Sequence, residues 1–170
     1  MSPKEEPRQP SREDWQAAAE AGSERRLAGV DASLSASLPA PLLQEIVDAA
    51  RADAPNETVG LLVARSYAAA GGLPERYVRM RNAAASPYRY LLDPDEQLRV
   101  MLEIDDADEV VWGIVHSHVA SPAVPSATDV GLAFYPDSLY LVCSLAGETP
   151  ELRAWTIRDG EVSEVPLAVS

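Results

Sequence analysis

One cysteine, two histidines, one lysine and one phenylalanine in 170 residues leave this chain few routes to chemistry. The lone Cys143 cannot close an internal disulfide, and in the apolar run from Leu139 to Leu145 a buried, inert thiol is expected. Thiol catalysis would have to borrow His116 or His118, the only imidazoles present. No apolar run approaches the ~20 residues that span a bilayer, and the polar N-terminus carries no apolar signal segment. A membrane is therefore excluded as a partner, and a cytoplasmic location is expected. Positive charge is scarce as well. The formal net charge is −13, of which residues 1 to 30 carry only −1, so the acidity belongs to the rest of the chain. Without a basic stripe to meet phosphates, nucleic acid is excluded, and an acidic partner would need a local basic landing site.

What is present supports one domain. A 46% hydrophobic content in 170 residues is enough for a core of ordinary size, and no repeat period of about 20 to 50 residues recurs. Residues 1–32 read as a polar, flexible extension. Ser11-Arg-Glu-Asp14 could cap a helix there, but few apolar groups offset the cost of ordering it. The domain proper is expected over 33–170. Leu42, Leu43, Ile46, Val47 and Ala50 have helical spacing, with Pro55 as a boundary. Glu57 to Ser66 and Glu75 to Arg81 predict a β-hairpin turning at Gly71-Gly72. Asp93-Pro94-Asp95-Glu96 predicts a capped helix to about Asp105, a strand to His118 follows, and a short helix is expected from Ala127 to about Phe134. A strand from Ser138 to Leu145 and two closing strands around Asp159-Gly160 complete an α/β (α+β) chain with a mixed sheet. The Asp105-Asp106 and Asp108-Glu109 cluster lacks the spaced ligands of a calcium loop and reads as a solvated helix end.

The chemistry concentrates in Trp112-Gly-Ile-Val-His-Ser-His118. Strand alternation points His116 and His118 to one face, where both imidazoles can meet one ion, and Ser117 to the other. The Pro and Ser that follow suit a loop returning Asp129 as a third ligand. Two imidazoles and a carboxylate suit zinc, and three protein ligands with no cysteine suggest an open, catalytic site rather than a closed structural one. The donor types bias the choice of metal without excluding iron or manganese.

His-Ser-His, ten intervening residues, then Asp, with Pro125-Ser126 ahead of that Asp, resembles the JAMM/MPN family of zinc isopeptidases. Glu57-Thr-Val-Gly-Leu-Leu-Val63, Arg81-Asn82 and Tyr90 to Leu98 resemble its compact bacterial members, over roughly residues 38 to 168. The resemblance implies a cytidine-deaminase-like fold with a mixed central sheet flanked by helices. It also implies a Zn²⁺ ion on His116, His118 and Asp129, and Glu57 as the general acid/base that exchanges a proton with the zinc-bound water. Ser126 would help to hold the oxyanion, although Ser126-Ala-Thr-Asp129 is also a capping-box spacing. Val119 stands where the family commonly has proline, which predicts a looser approach to the site.

By the same resemblance the substrate is a ubiquitin-like or sulfur carrier protein. Its amide bond after a C-terminal Gly-Gly would be hydrolysed, releasing a cysteine adduct or short extension. Two rivals are a deubiquitinase-like isopeptidase on lysine-linked modifiers and a non-catalytic MPN scaffold. The sequence leaves room for a homodimer.

Overall fold

The computed structural model describes residues 33–170, so the extension expected over 1–32, and the helix cap at Ser11 within it, lie outside the described residues. Strand β1 (Ala36–Leu38) leads into helix α1 (Ala40–Asp53), which begins with proline in its first turn and buries Leu42, Ile46, Ala49 and Ala50. That is the apolar face its spacing predicts. Strands β2 (Val59–Ala64) and β3 (Pro74–Met80) form the antiparallel hairpin, with a short 3₁₀ turn at Ala68–Ala70 between them. Of its two glycines only Gly71 takes a positive φ, +79°, which a residue with a Cβ rarely adopts. Helix α2 (Pro94–Asp106) starts as expected: the Asp93 carboxylate accepts from the backbone N–H groups of Asp95 and Glu96, and Pro94 needs no partner.

Strand β4 (Val110–His118) is followed by the five-residue helix α3 (Ala127–Gly131). Then come β5 (Leu139–Ser144), β6 (Glu151–Arg158), β7 (Glu161–Val165) and β8 (Leu167–Val169). Helix α3 stops short of Phe134 because Gly131 is a poor helix former and Pro136 disfavours helical backbone in the residue before it. Six strands pair in the order β3-β2-β4-β5-β6-β7, with β4 and β5 parallel and the rest antiparallel. The parallel step is the crossover that contains α3. A second, two-stranded sheet pairs β1 with β8 in parallel. These three-residue strands lack a periodic signal of their own and are fixed by distant pairing.

The sheet is buried on both faces. On one, α1 packs with Leu62, Trp112, Val115, Leu141 and Cys143. On the other, Val100 and Ile104 of α2 meet Val59, Leu61, Ile114, Tyr140 and Trp155. Between β2 and β4 the register slips: Val63 pairs with Val111 and Leu62 with Gly113, which leaves Trp112 as an extra residue. This β-bulge turns Trp112 into the α1-side core while Val111 and Ile114 share the opposite face. Trp112 donates its indole N–H to the Gly72 carbonyl at 2.8 Å. Beyond the bulge, regular alternation carries His116 and His118 on the Ile114 face.

Candidate metal centre

The histidines close β4 in the middle of the sheet, where β2 and β5 flank it. Val59 of β2 pairs with His116, so Glu57 arrives two residues before that pairing and lies next to the imidazoles. The loop after β4 then returns α3, whose first turn presents Asp129. All four side chains are buried: His116 1%, His118 5%, Asp129 3% and Glu57 4% exposed.

Three donor atoms converge. His116 Nε2 lies 3.1 Å from His118 Nε2, and Asp129 Oδ2 lies 3.2 Å from the first and 3.3 Å from the second. Among the described residues this is the one cluster of histidine, cysteine and carboxylate groups placed to hold a metal ion. Donors about 2.0–2.1 Å from a tetrahedral zinc stand about 3.3 Å apart, so the triangle fits such an ion. The donor set fits by protonation as well. His118 Nδ1 lies 2.8 Å from the Pro122 carbonyl oxygen, which can only accept, so Nδ1 carries the proton and the neutral ring turns a lone pair at Nε2 inward. The His116 ring packs against Tyr90, centroids 4.7 Å apart and tilted by 32°. A tetrahedral ion held by these three donors would keep one position open, as catalytic rather than structural zinc sites do.

Electrostatics follow from burial and neighbours. Desolvation alone would raise the Asp129 carboxyl, but the imidazoles of His116 and His118 outweigh it and hold the group well below the carboxylate range. Burial pulls His118 down, yet its bonds and charge contact with Asp129, helped by Pro122 and Glu57, leave it raised. Burial pushes Glu57 up to about 8, with His118 opposing and Asp129 assisting the shift. One of its carboxylate oxygens, Oε2, is buried without a protein partner. A carboxyl held near neutrality beside a candidate metal cluster is suited to take up and release protons.

Ser126 caps α3 in a full capping box. Its Oγ accepts from the Asp129 N–H at 3.2 Å, while Asp129 Oδ2 accepts from the Ser126 N–H at 2.6 Å. The oxygen that completes the donor triangle is thus held by the backbone of its own helix cap. Because Ser126 Oγ uses a lone pair in this box, its hydroxyl proton remains able to donate. Ser117 points away from the triangle and accepts from the Thr58 N–H at 2.8 Å.

Two contributors were not assigned roles by sequence reasoning. The Asn82 amide donates to the Glu57 carbonyl at 2.9 Å and to the Arg89 carbonyl at 3.1 Å, and its oxygen accepts from the N–H groups of Ala84 and Leu91. One side chain thereby ties the loop before α2 to the backbone just ahead of β2. Tyr90, the second, belongs to that loop. Both lie in segments that carry the family resemblance, but by residue type alone an asparagine and a tyrosine in a polar loop read as turn and surface residues.

Three buried donors that could hold one metal ion thus lie between a mixed sheet and a short helix, with a buried carboxyl beside them. The chain matches the family of prokaryotic homologs of the JAB domain over residues 39–158. The CysO-cysteine peptidase of Mycobacterium tuberculosis is 44% identical over 131 residues, covering 76% of this chain and 88% of the relative. The desampylase of Haloferax volcanii is 34% identical over 142 residues, covering 81% and 95%. A solution structure of a Desulfitobacterium hafniense protein superposes with a TM-score of 0.69 at 34% identity, over 79% of this chain and 92% of that one. A crystal structure of a JAB1/MPN domain protein from Archaeoglobus fulgidus shares the fold, with a TM-score of 0.52 at 18% identity over 80% and 98%. The chain belongs to the prokaryotic JAB family.

Proposed function

We propose that this protein is a zinc-dependent peptidase that hydrolyses the amide bond after the C-terminal Gly-Gly of a ubiquitin-like or sulfur carrier protein. The released group would be cysteine or a short extension. The observation that carries the reading is the convergence of His116, His118 and Asp129 on one point with Glu57 buried beside them. Zinc bound there would supply Lewis acidity toward the carbonyl and bring the pKa of a bound water to about 7. His116, His118 and Asp129 would hold it. Glu57 takes a proton at a carboxylate oxygen as water attacks and returns it to the departing amine. The Ser126 hydroxyl donates toward the carbonyl oxygen as negative charge develops there.

The substrate class is supported by the two relatives, named CysO-cysteine peptidase and desampylase. The second of these favours an alternative on the same site, an isopeptidase acting on lysine-linked modifiers. A non-catalytic scaffold role finds no support in a donor set that keeps all three groups together. Among the described residues no helix is long and apolar enough to cross a membrane; a cytoplasmic setting is part of the proposal. A homodimer is compatible with this reading.

The test is mass spectrometry of a carrier protein bearing a cysteine after its Gly-Gly, incubated with the zinc-loaded protein and with its Glu57→Gln variant. Cleavage after Gly-Gly by the unmodified protein alone is the expected result. An intact adduct at full zinc occupancy would refute the carrier-peptidase reading.

A further inference from the structure

Glu57 lies just outside the sheet that positions the histidines. Two residues beyond the Val59–Met80 pair, the register of the β2–β3 hairpin would set it opposite Asn82, but the ladder does not extend that far. The Asn82 backbone turns away instead to bridge Leu92, and the Ala83 N–H donates to the Leu91 carbonyl at 2.7 Å. Glu57 is held by other means. Its N–H donates to the Ser86 carbonyl at 2.9 Å, and its carbonyl accepts from the Asn82 side-chain amide at 2.9 Å. Both backbone groups of the acid/base candidate therefore depend on the loop from 82 to 91.

The same amide grips Tyr90 from both sides. It donates to the carbonyl of Arg89 at 3.1 Å and accepts from the N–H of Leu91 at 3.0 Å, the residues before and after Tyr90. The buried Tyr90 ring in turn packs against His116. A further bond, accepted from the Ala84 N–H at 3.0 Å, closes the turn. An amide supplies two N–H donors and a carbonyl that accepts twice, all in one short planar group. Ionised aspartate would face two carbonyls without a donor, and glutamine would carry its amide one methylene further out. The loop also contains a residue that needs holding: Ala85 has φ +43°, a left-handed conformation that alanine rarely adopts. Glu57 Oε2 has no protein partner, so the direction of the carboxyl is set through its backbone.

We infer that Asn82 is a positioning residue for the hydrolysis. Its amide fixes Glu57 and Tyr90 relative to one another and, through the contact of Tyr90 with His116, holds the acid/base carboxyl in place beside the metal donors. Asn82 acts through Glu57 rather than on the substrate. A misplacement of about 1 Å costs on the order of 10²-fold in rate, so loss of this clamp is expected in the chemical step rather than in carrier binding. The inference rests on the peptidase reading for what Glu57 does, but the clamp itself can be measured without turnover.

The experiment has two arms on the full, zinc-loaded chain, with Asn82→Asp and Asn82→Ala beside Ile46→Val, a buried core variant in α1 that reports what lost stability alone does. On a carrier ending in Gly-Gly-cysteine, the Asn82 variants are expected to keep one zinc per chain and a KM within about threefold, while kcat falls roughly 10- to 100-fold. A fall in kcat no larger than that of Ile46→Val, or a loss confined to KM, overturns the inference. Asn82→Asp keeps the size and the accepting oxygen, and carries the test should the alanine variant not fold. In the second arm, amide hydrogen exchange is followed by NMR. The Glu57 N–H in both variants, and the Leu91 N–H in Asn82→Ala, are expected to exchange at least ~10-fold faster while the β4 amides stay protected. Unchanged exchange at Glu57 overturns the inference whatever the enzyme cleaves. Faster exchange where even the parent cuts no carrier supports the clamp, and the peptidase reading alone fails.

Discussion

The backbone N–H of Thr58 donates to the side-chain oxygen of Ser117 at 2.8 Å, joining the residue after Glu57 to the residue between the two histidines. The carboxyl and the imidazoles are therefore held in fixed relation from the back of the sheet, through a bond that touches none of them. Both residues are fully buried, so removing the hydroxyl leaves a donor with no water to replace it. Ser117→Ala is expected to lose about 1–3 kcal/mol of stability, read as a lower midpoint in urea unfolding at unchanged slope. An unchanged midpoint would show that the bond is dispensable.

His118→Ala and Asp129→Asn are each expected to abolish stoichiometric zinc, measured by elemental analysis of the purified protein after dialysis. Retention of one zinc per chain in either variant would remove that residue from the donor set.

Glu57 was legible only through the family resemblance, but much of the donor cluster was legible in advance, because strand alternation puts His116 and His118 on one face and the Pro and Ser that follow suit a loop returning Asp129. The hairpin at Gly71 and the cap at Asp93 were legible for the same reason: their signals are local. The β1–β8 pair, the slip at Trp112 and the hub at Asn82 were not, since each depends on residues far along the chain. Asn82 joins Glu57 to Arg89 and Leu91, and that geometry exists only after the hairpin has formed.

Glu57 is expected to weaken the metal-free protein at neutral pH. Its carboxyl titrates near 8 when folded, against 4.5 in the unfolded chain, so between these values the folded state holds a proton that the unfolded state has released. Stability then falls as pH rises, by at most about 1.4 kcal/mol per pH unit, and levels off above about 8. Glu57→Gln removes this dependence. In metal-free protein the variant is expected to melt higher at pH 7.5 and to match the parent once both are below about pH 4.5. A variant that melts lower at pH 7.5 would contradict the assigned cost of burying this charge.

Ser126→Ala separates two roles carried by one side chain. Loss of the cap is expected to cost about 1 kcal/mol. Loss of a donor to the developing oxyanion is expected to slow turnover by ~10²- to 10³-fold. Comparing variants by thermal melting and by kcat on the carrier adduct distinguishes them. A slowing no larger than a few-fold would confine Ser126 to the helix cap.

The extra residue at Trp112 acts as a phase shift in the side-chain alternation of β4. Upstream of it, odd-numbered Val111 faces the same way as even-numbered Ile114, His116 and His118 downstream, so one strand serves two cores with different parity. The pairing from Gly113 onward is clamped by β2 on one side and β5 on the other. A single residue deleted at the bulge would thus be absorbed as regular pairing at the cost of a packed indole. The same deletion between Gly113 and His116 would turn both imidazoles toward α1. Tolerance of length change along this strand is accordingly lopsided, generous at its entry and nil across the four residues that deliver the donors.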